Sequence, residues 1–163
     1  MKVWQRRFFG ILAVGGGGTG VSVALQTLLT RSNPIEWALL VGFMAAYAWG
    51  MWCGVRLLEG RPGAERANTI FWLIQVPYFM SPVVGYFLSS GFHIMLSYQP
   101  VGTHFSANTQ LGSVMVYSLL QGDRQWIFGV NVFALAACLY LNRISQASPP
   151  DNSSKPTLLR GEA

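Results

Sequence analysis

Residues Ala67–Phe92 read ANTIFWLIQVPYFMSPVVGYFLSSGF, twenty-six positions without one ionised side chain. How this stretch folds decides the architecture. By length and polarity it matches a membrane span, since about 20 mostly apolar residues cover a hydrocarbon core of roughly 30 Å. Three further runs share its character: Phe8–Thr30, Ile35–Val55 and Gln125–Asn142. The expectation is an all-α integral membrane protein, a bundle of four transmembrane helices over residues 1–144. A small outer segment, residues 93–124, separates the third and fourth spans, and residues 145–163 form a disordered cytoplasmic tail.

Within the quoted stretch Pro77 and Pro82 each remove a backbone donor and press on the preceding turn, so helix kinks are expected at both. Gln75, Tyr78 and Ser81 are placed to bond the freed groups. Kinked helices line transport paths or merely bend within a bundle. No acidic or basic side chain falls inside this run, which leaves a proton or ion relay without its residues.

Composition agrees with a membrane setting. Charged residues make up 10% of the chain, against about 25% in ordinary soluble domains. The net charge of +5 does not point to nucleic acid, because the basic residues flank the apolar runs and form no patch with interleaved aromatics. With the N-terminus inside, the cytoplasmic segments hold Lys2, Arg6, Arg7, Arg56, Arg61, Arg66, Arg143, Lys155 and Arg160, and the outer segments hold Arg31 and Arg124. Nine against two is a strong positive-inside bias, and both termini are placed in the cytoplasm of a multi-pass cell-membrane protein (plasma or inner membrane). Trp4, Trp37 and Trp126 fall near interfacial depth. Arg6-Arg7-Phe8-Phe9 faintly resembles a twin-arginine export signal, but no small-x-small cleavage site closes a short apolar core, which favours a retained helix.

Gly15–Gly20 reads GGGGTG and formally contains G-x-G-x-x-G at Gly15, Gly17 and Gly20. A dinucleotide site also wants an acidic residue ending a second strand about 20 residues on. Glu36 precedes its apolar run instead, and no strand–helix alternation follows. No Lys follows the glycines, which excludes a phosphate-binding P-loop. Close helix packing is the better reading, since small residues let backbones approach in lipid. Gly16, Gly20 and Ala24 recur at four-residue spacing on the first span. Ala38, Gly42, Ala46, Gly50 and Gly54 do so on the second, as a ridge for the first span or for another copy of the chain.

Asn131 falls within the fourth run and is expected to bond across helices, with Gln26 or Gln75 as partner. In the outer segment His104, Ser106, Asn108 and Gln110 alternate with Phe105, Ala107, Thr109 and Leu111. That period of two, together with the turn Gln99–Gly102 after Phe92–Tyr98, predicts a hairpin over the outer helix ends. Val114–Leu120 reads alternatively as an interfacial helix.

His93 and His104, the two histidines of the chain, are the candidate ligands for a metal or a haem. Neither lies mid-span, Asp123 is the one carboxylate nearby, and solvated or hydrogen-bonded side chains explain them as well. Cys53 and Cys138 form no C-x-x-C and read as packing residues. No catalytic constellation, cofactor or metal site is expected. The functional expectation is a membrane scaffold or accessory subunit acting through helix packing and its outer segment. Its partners would be membrane lipids and a membrane protein or a second copy of itself. A small-solute transporter or oligomeric pore is the alternative, and a haem- or metal-dependent membrane redox protein the third reading.

Overall fold

The computed structural model describes residues 1–120 and 122–147. It holds helices α1 (Val3–Thr30), α2 (Pro34–Glu59) and α3 (Ala64–Leu73). Strands β1 (Pro77–Met80), β2 (Val84–Ser89), β3 (Phe92–Gln99), β4 (His104–Leu111), β5 (Val114–Leu119) and β6 (Ile127–Asn131) follow, and α4 (Val132–Ala147) is the last element among the described residues. The strands form one antiparallel sheet in the order β4-β3-β6-β1-β2-β5. The chain is therefore not an all-α bundle of four spans. Among the described residues, only α1 and α2 are helices long and apolar enough to cross a membrane. At 1.5 Å per residue α3 covers about 15 Å and the described residues of α4 about 24 Å, both short of a bilayer core.

The third apolar run fails as a helix for a local reason. Pro77 disfavours helical geometry at Val76 and cannot donate a helix hydrogen bond. Beyond it come Tyr78, Phe79, Val83, Val84, Tyr86 and Phe87, residues that fit a pleated surface better than a helix. Pro77 is not a kink but the first residue of β1, a place where a strand tolerates proline. Pro82 sits in the β1–β2 turn. There the Ser81 hydroxyl accepts from the amides of Val83 and Val84, at 3.3 and 3.0 Å.

The fourth run also divides. Asn131 ends β6, and its side-chain oxygen accepts from the Ala134 amide at 3.2 Å, as an N-cap does for a following helix. It is a junction residue, not a bond between facing helices, and Gln26 is exposed. The anticipated hairpin is β3–β4, paired from Phe92↔Leu111 to Gln99↔His104. It belongs to the larger sheet instead of capping helix ends, and Val114–Leu119 is strand β5. Of the expected tail, residues 145–147 continue α4 and 148–163 lie outside the described residues.

α1 and α2 form an antiparallel hairpin. Asn33 caps α2 by accepting from the Ile35 amide, Pro34 starts the helix, and Gly60 ends it at φ +70°. Around the end of this hairpin that carries Arg6 and Arg56, α3 and α4 complete a four-helix layer. Its core joins Trp72, Ala134, Ala137, Cys138 and Leu141 to Phe9 and Leu12. The sheet lies along the other half, where Phe43, Tyr47 and Leu88 make a second core with Tyr86 and Tyr117.

The two halves meet at the helix midpoints. The Tyr47 hydroxyl donates to the carbonyls of Ser89 and Val114, at 3.1 and 3.0 Å. Ser113, in the β4–β5 turn, donates to the Gly16 carbonyl and shares a 2.8 Å hydrogen bond with Thr19. Tyr47→Phe is expected to leave two strand-end carbonyls short of a donor in a buried site, at a cost of about 1–3 kcal/mol. Thermal unfolding in mild detergent should show the lower melting temperature, with exposed Tyr140→Phe unchanged.

Candidate functional site

Strand register sorts the sheet into two chemically distinct faces. On one, Phe105, Tyr98, Phe128, Phe79, Tyr86 and Tyr117 line up as direct cross-strand neighbours, one aromatic from each strand. The next row on this face is Ala107, Leu96, Val130, Pro77, Leu88 and Met115, apolar throughout. On the opposite face the corresponding rows carry Ser106, Ser97 and Tyr78, then Asn108, Asn131 and Ser89, with His93 opposite Gln110.

The apolar face is covered in part. Tyr86 and Tyr117 pack on Phe43, with ring centroids 6.1 and 6.2 Å away. The remainder is open: Phe105 is 83% exposed, and Leu96, Phe128 and Val130 are exposed as well. A shallow hollow of about 820 Å³ runs along it, lined by Phe79, Leu96, Phe105, Ala107, Phe128 and Val130 among others.

The polar face bounds the candidate site. A pocket of about 260 Å³ is lined by Tyr78, Phe87, His93, Met95, Ser97, Ser106, Asn108, Gln110, Val114 and Val116. Both edge strands contribute, because the two-residue link Gly112-Ser113 joins β4 directly to β5 and curls the sheet. Gly112 takes φ +122°, a conformation for which glycine is suited. His93 is the buried polar side chain of this pocket, beside buried Phe87 and Met95. Its Nδ1 lies 3.1 Å from the Ser89 hydroxyl and its ring meets Phe87 edge-on at 5.5 Å. Burial lowers its pKa from the ordinary imidazole value, which favours the neutral ring. None of the six described strands carries an Asp or Glu that could orient Ser89 and His93 as a nucleophile–base couple.

At the floor, beside the start of α4, the polar groups serve the fold. Gln75 accepts from the Ser90 amide at 2.7 Å and donates to the Phe71 carbonyl at 3.1 Å. Asn131 accepts from Ile94 at 3.4 Å.

The sequence-predicted residues are dispersed. His93 and His104 lie on the same face but at opposite ends of the β3–β4 hairpin, six residues or about 20 Å apart along a strand. They cannot share a ligand, and the described residues contain no cluster of three or more metal-ligating side chains. The Gly15–Gly20 stretch lies wholly inside α1, with no strand or turn to hold a pyrophosphate. Cys53 and Cys138 are buried free thiols.

The small-residue ridge on α2 is not one interface. Gly54 lies against Gly10 and Ala13 of α1, Gly50 faces the Phe71 ring of α3, and Ala46 borders the Phe43–Tyr47 core. Gly42 and Ala38 are exposed. Each four-residue step overshoots a turn by about 40°, so five such positions sweep roughly 160° around the helix. On α1, Gly16 faces Ser90 and Gly91 of the sheet, and Gly20 receives the Tyr47 ring. Gly10, Ala13, Gly17, Gly20 and Ala24 are all buried on α1, and their alternating spacing of 3 and 4 was the readable signal for this packed stripe.

No protein-family model, curated protein or solved structure matches the chain.

Proposed function

We propose that this protein is a membrane accessory subunit that crosses the bilayer with α1 and α2 and presents its curled sheet to a partner on the outer side. Several observations support the setting. Lys2, Arg6, Arg7, Arg56, Arg61, Arg66 and Arg143 cluster toward one end of the helical layer, and Arg31 and Arg124 toward the other. This distribution follows the positive-inside pattern. The observation that carries the binding role is the polar pocket between β4 and β5. Ser106, Asn108 and Gln110 project into it from an exposed edge strand, and the backbone groups of that edge lack a strand neighbour.

Such an edge pairs readily with an extended segment through main-chain hydrogen bonds, with side-chain amides and hydroxyls supplying selectivity. The occupant is an uncharged, polar, extended segment of a membrane protein partner. A transport path is less well supported. Below the polar floor the helical half is filled by Phe71, Trp72 and Leu141, all fully buried.

The test is mass spectrometry of the tagged protein purified from its native membrane in mild detergent. A stoichiometric partner is expected, lost in the Ser106→Leu/Asn108→Leu variant and retained in Thr109→Ser. Recovery of the chain alone, as a homo-oligomer, would overturn the accessory reading in favour of a pore or transporter.

A further inference from the structure

We infer that the sheet is seated in the outer leaflet of the membrane, with its open apolar face against lipid acyl chains and its polar face turned away from them. The inference rests on reading α1 and α2 as spanning helices. Once they span, the position of the sheet follows from geometry. Its inner turns are pinned to Gly16 and Tyr47, which stand at the middle of α1 and α2. At the other end, Tyr117–Leu120 line a pocket with Asn33, Ile35 and Glu36, where the helical hairpin turns. The strands therefore run beside the outer half of the helices, at hydrocarbon depth, and not above the membrane.

The residues suit that depth. None of the strands contains Asp, Glu, Lys or Arg. A water-exposed sheet guards its edges with charge, particularly lysine; here the edge strand β4 carries exposed Phe105 and Leu111 instead. The aromatic row across all strands lies nearer the outer loops than the aliphatic row beside it, as Tyr98 and Phe105 flank the β3–β4 turn. Membrane barrels place their aromatic girdle at the same depth, at the edge of the apolar band, and alternate apolar outward with polar inward. The hollow of about 820 Å³ along Leu96, Phe105 and Val130 gives acyl chains a surface that reaches Val132 at the start of α4.

An open sheet in lipid must still satisfy its edges, since non-helical backbone at this depth is tolerated only in protein or beside a water-filled cavity. Both edges, β4 and β5, border the same polar pocket, with Ser106, Asn108 and Gln110 on one side of it. The sheet thus works as an incomplete membrane barrel whose gap faces its own polar interior. The helical layer of α3 and α4 closes it at mid-depth.

Site-directed nitroxide labelling tests this in phosphatidylcholine–phosphatidylglycerol vesicles. Single cysteines are placed at Leu96, Ala107 and Val130 (apolar face) and at Ser97 and Asn108 (polar face), in a Cys53→Ala/Cys138→Ala background. Val41 and Ala48 on the exposed side of α2 serve as helix controls. Collision with oxygen is expected to dominate at 96, 107 and 130, and collision with an aqueous nickel chelate at 97 and 108. The preference reverses between adjacent residues. Lipid-accessible helix controls with nickel access on both sheet faces would overturn the leaflet placement and leave the spanning helices standing. Nickel access at 41 and 48 as well would overturn the membrane reading itself. Protection of 96, 107 and 130 from both reagents would assign that face to a protein and refute lipid contact. Three apolar-face positions on separate strands keep the test decisive if one variant misfolds.

Discussion

Gly16→Val is expected to detach the sheet from the helical hairpin. A side-chain carbon at position 16 would lie 2.3 Å from the Gly91 amide nitrogen and 2.6 Å from the Ser90 carbonyl carbon. Both are backbone atoms in a tight turn, so no rotamer change relieves the clash. Overpacking in a close-packed core costs about 1–3 kcal/mol and more when nothing can yield, and here the upper end or beyond is expected. The damage spreads, because the same approach holds Ser113 on the Gly16 carbonyl and the Ser89 and Val114 carbonyls on Tyr47. Limited proteolysis in mild detergent should release fragments cut among the strands while α1–α2 survives. Gly18→Val is the control, since a side chain there meets nothing within 4 Å. Equal protease resistance of the two variants would refute this account of the docking.

Gly50→Leu and Gly42→Leu are expected to part company although they lie on one four-residue ladder. At position 50 a side-chain carbon would stand 2.2 Å from two atoms of the Phe71 ring. That ring is fixed between Trp49 and Trp72, with centroids 6.1 and 5.9 Å away, so it has no free direction to turn. A loss of about 3 kcal/mol or more is expected, from a clash with a buried aromatic on a short helix. α3 should leave α2 and loosen its contact with α4. Position 42 is exposed with nothing within 4 Å, and leucine has a better helix propensity than glycine by nearly 1 kcal/mol. Melting temperatures from fluorescence-detected size-exclusion after heating would separate the two. A collapse of Gly42→Leu matching that of Gly50→Leu would instead indicate a ridge buried against another copy.

The contrast between these glycines bears on what a sequence can disclose. Small residues at helical spacing announce a close approach, and both α1 and α2 make one. Which partner fills each gap is another matter. Gly16 meets a strand turn, Gly20 a tyrosine ring and Gly54 a neighbouring helix backbone. The spacing rule treats all three alike.

The misread third and fourth runs have a related cause. Hydropathy summed over a window measures length and polarity, and a run of buried strands passes it as readily as a helix. Pro77, Pro82, the aromatics Tyr78 and Phe79 between them and Val83-Val84 just after were visible, and they argue for strands on local grounds. The polar face of β4 was visible too, because alternation along one strand needs no partner to be seen. The two histidines could not be sorted this way. His93 is buried at the pocket floor and His104 is exposed near the outer turn, and only strand register separates them.

The sequence by itself determined the two long apolar helices, the charge asymmetry between their ends, the β3–β4 hairpin and the glycine stripes that permit close packing. Each is a local or summed property, expressed within a few residues or along one element. Only the tertiary structure decided that strands from residues 77 to 131 join in one sheet, and that an aromatic from each aligns in a row. Alignment across strands depends on which backbone hydrogen-bonds to which. That choice is made by burial at Gly16 and Tyr47 and by the two-residue turn at Gly112-Ser113, where distant segments compete for the same contacts.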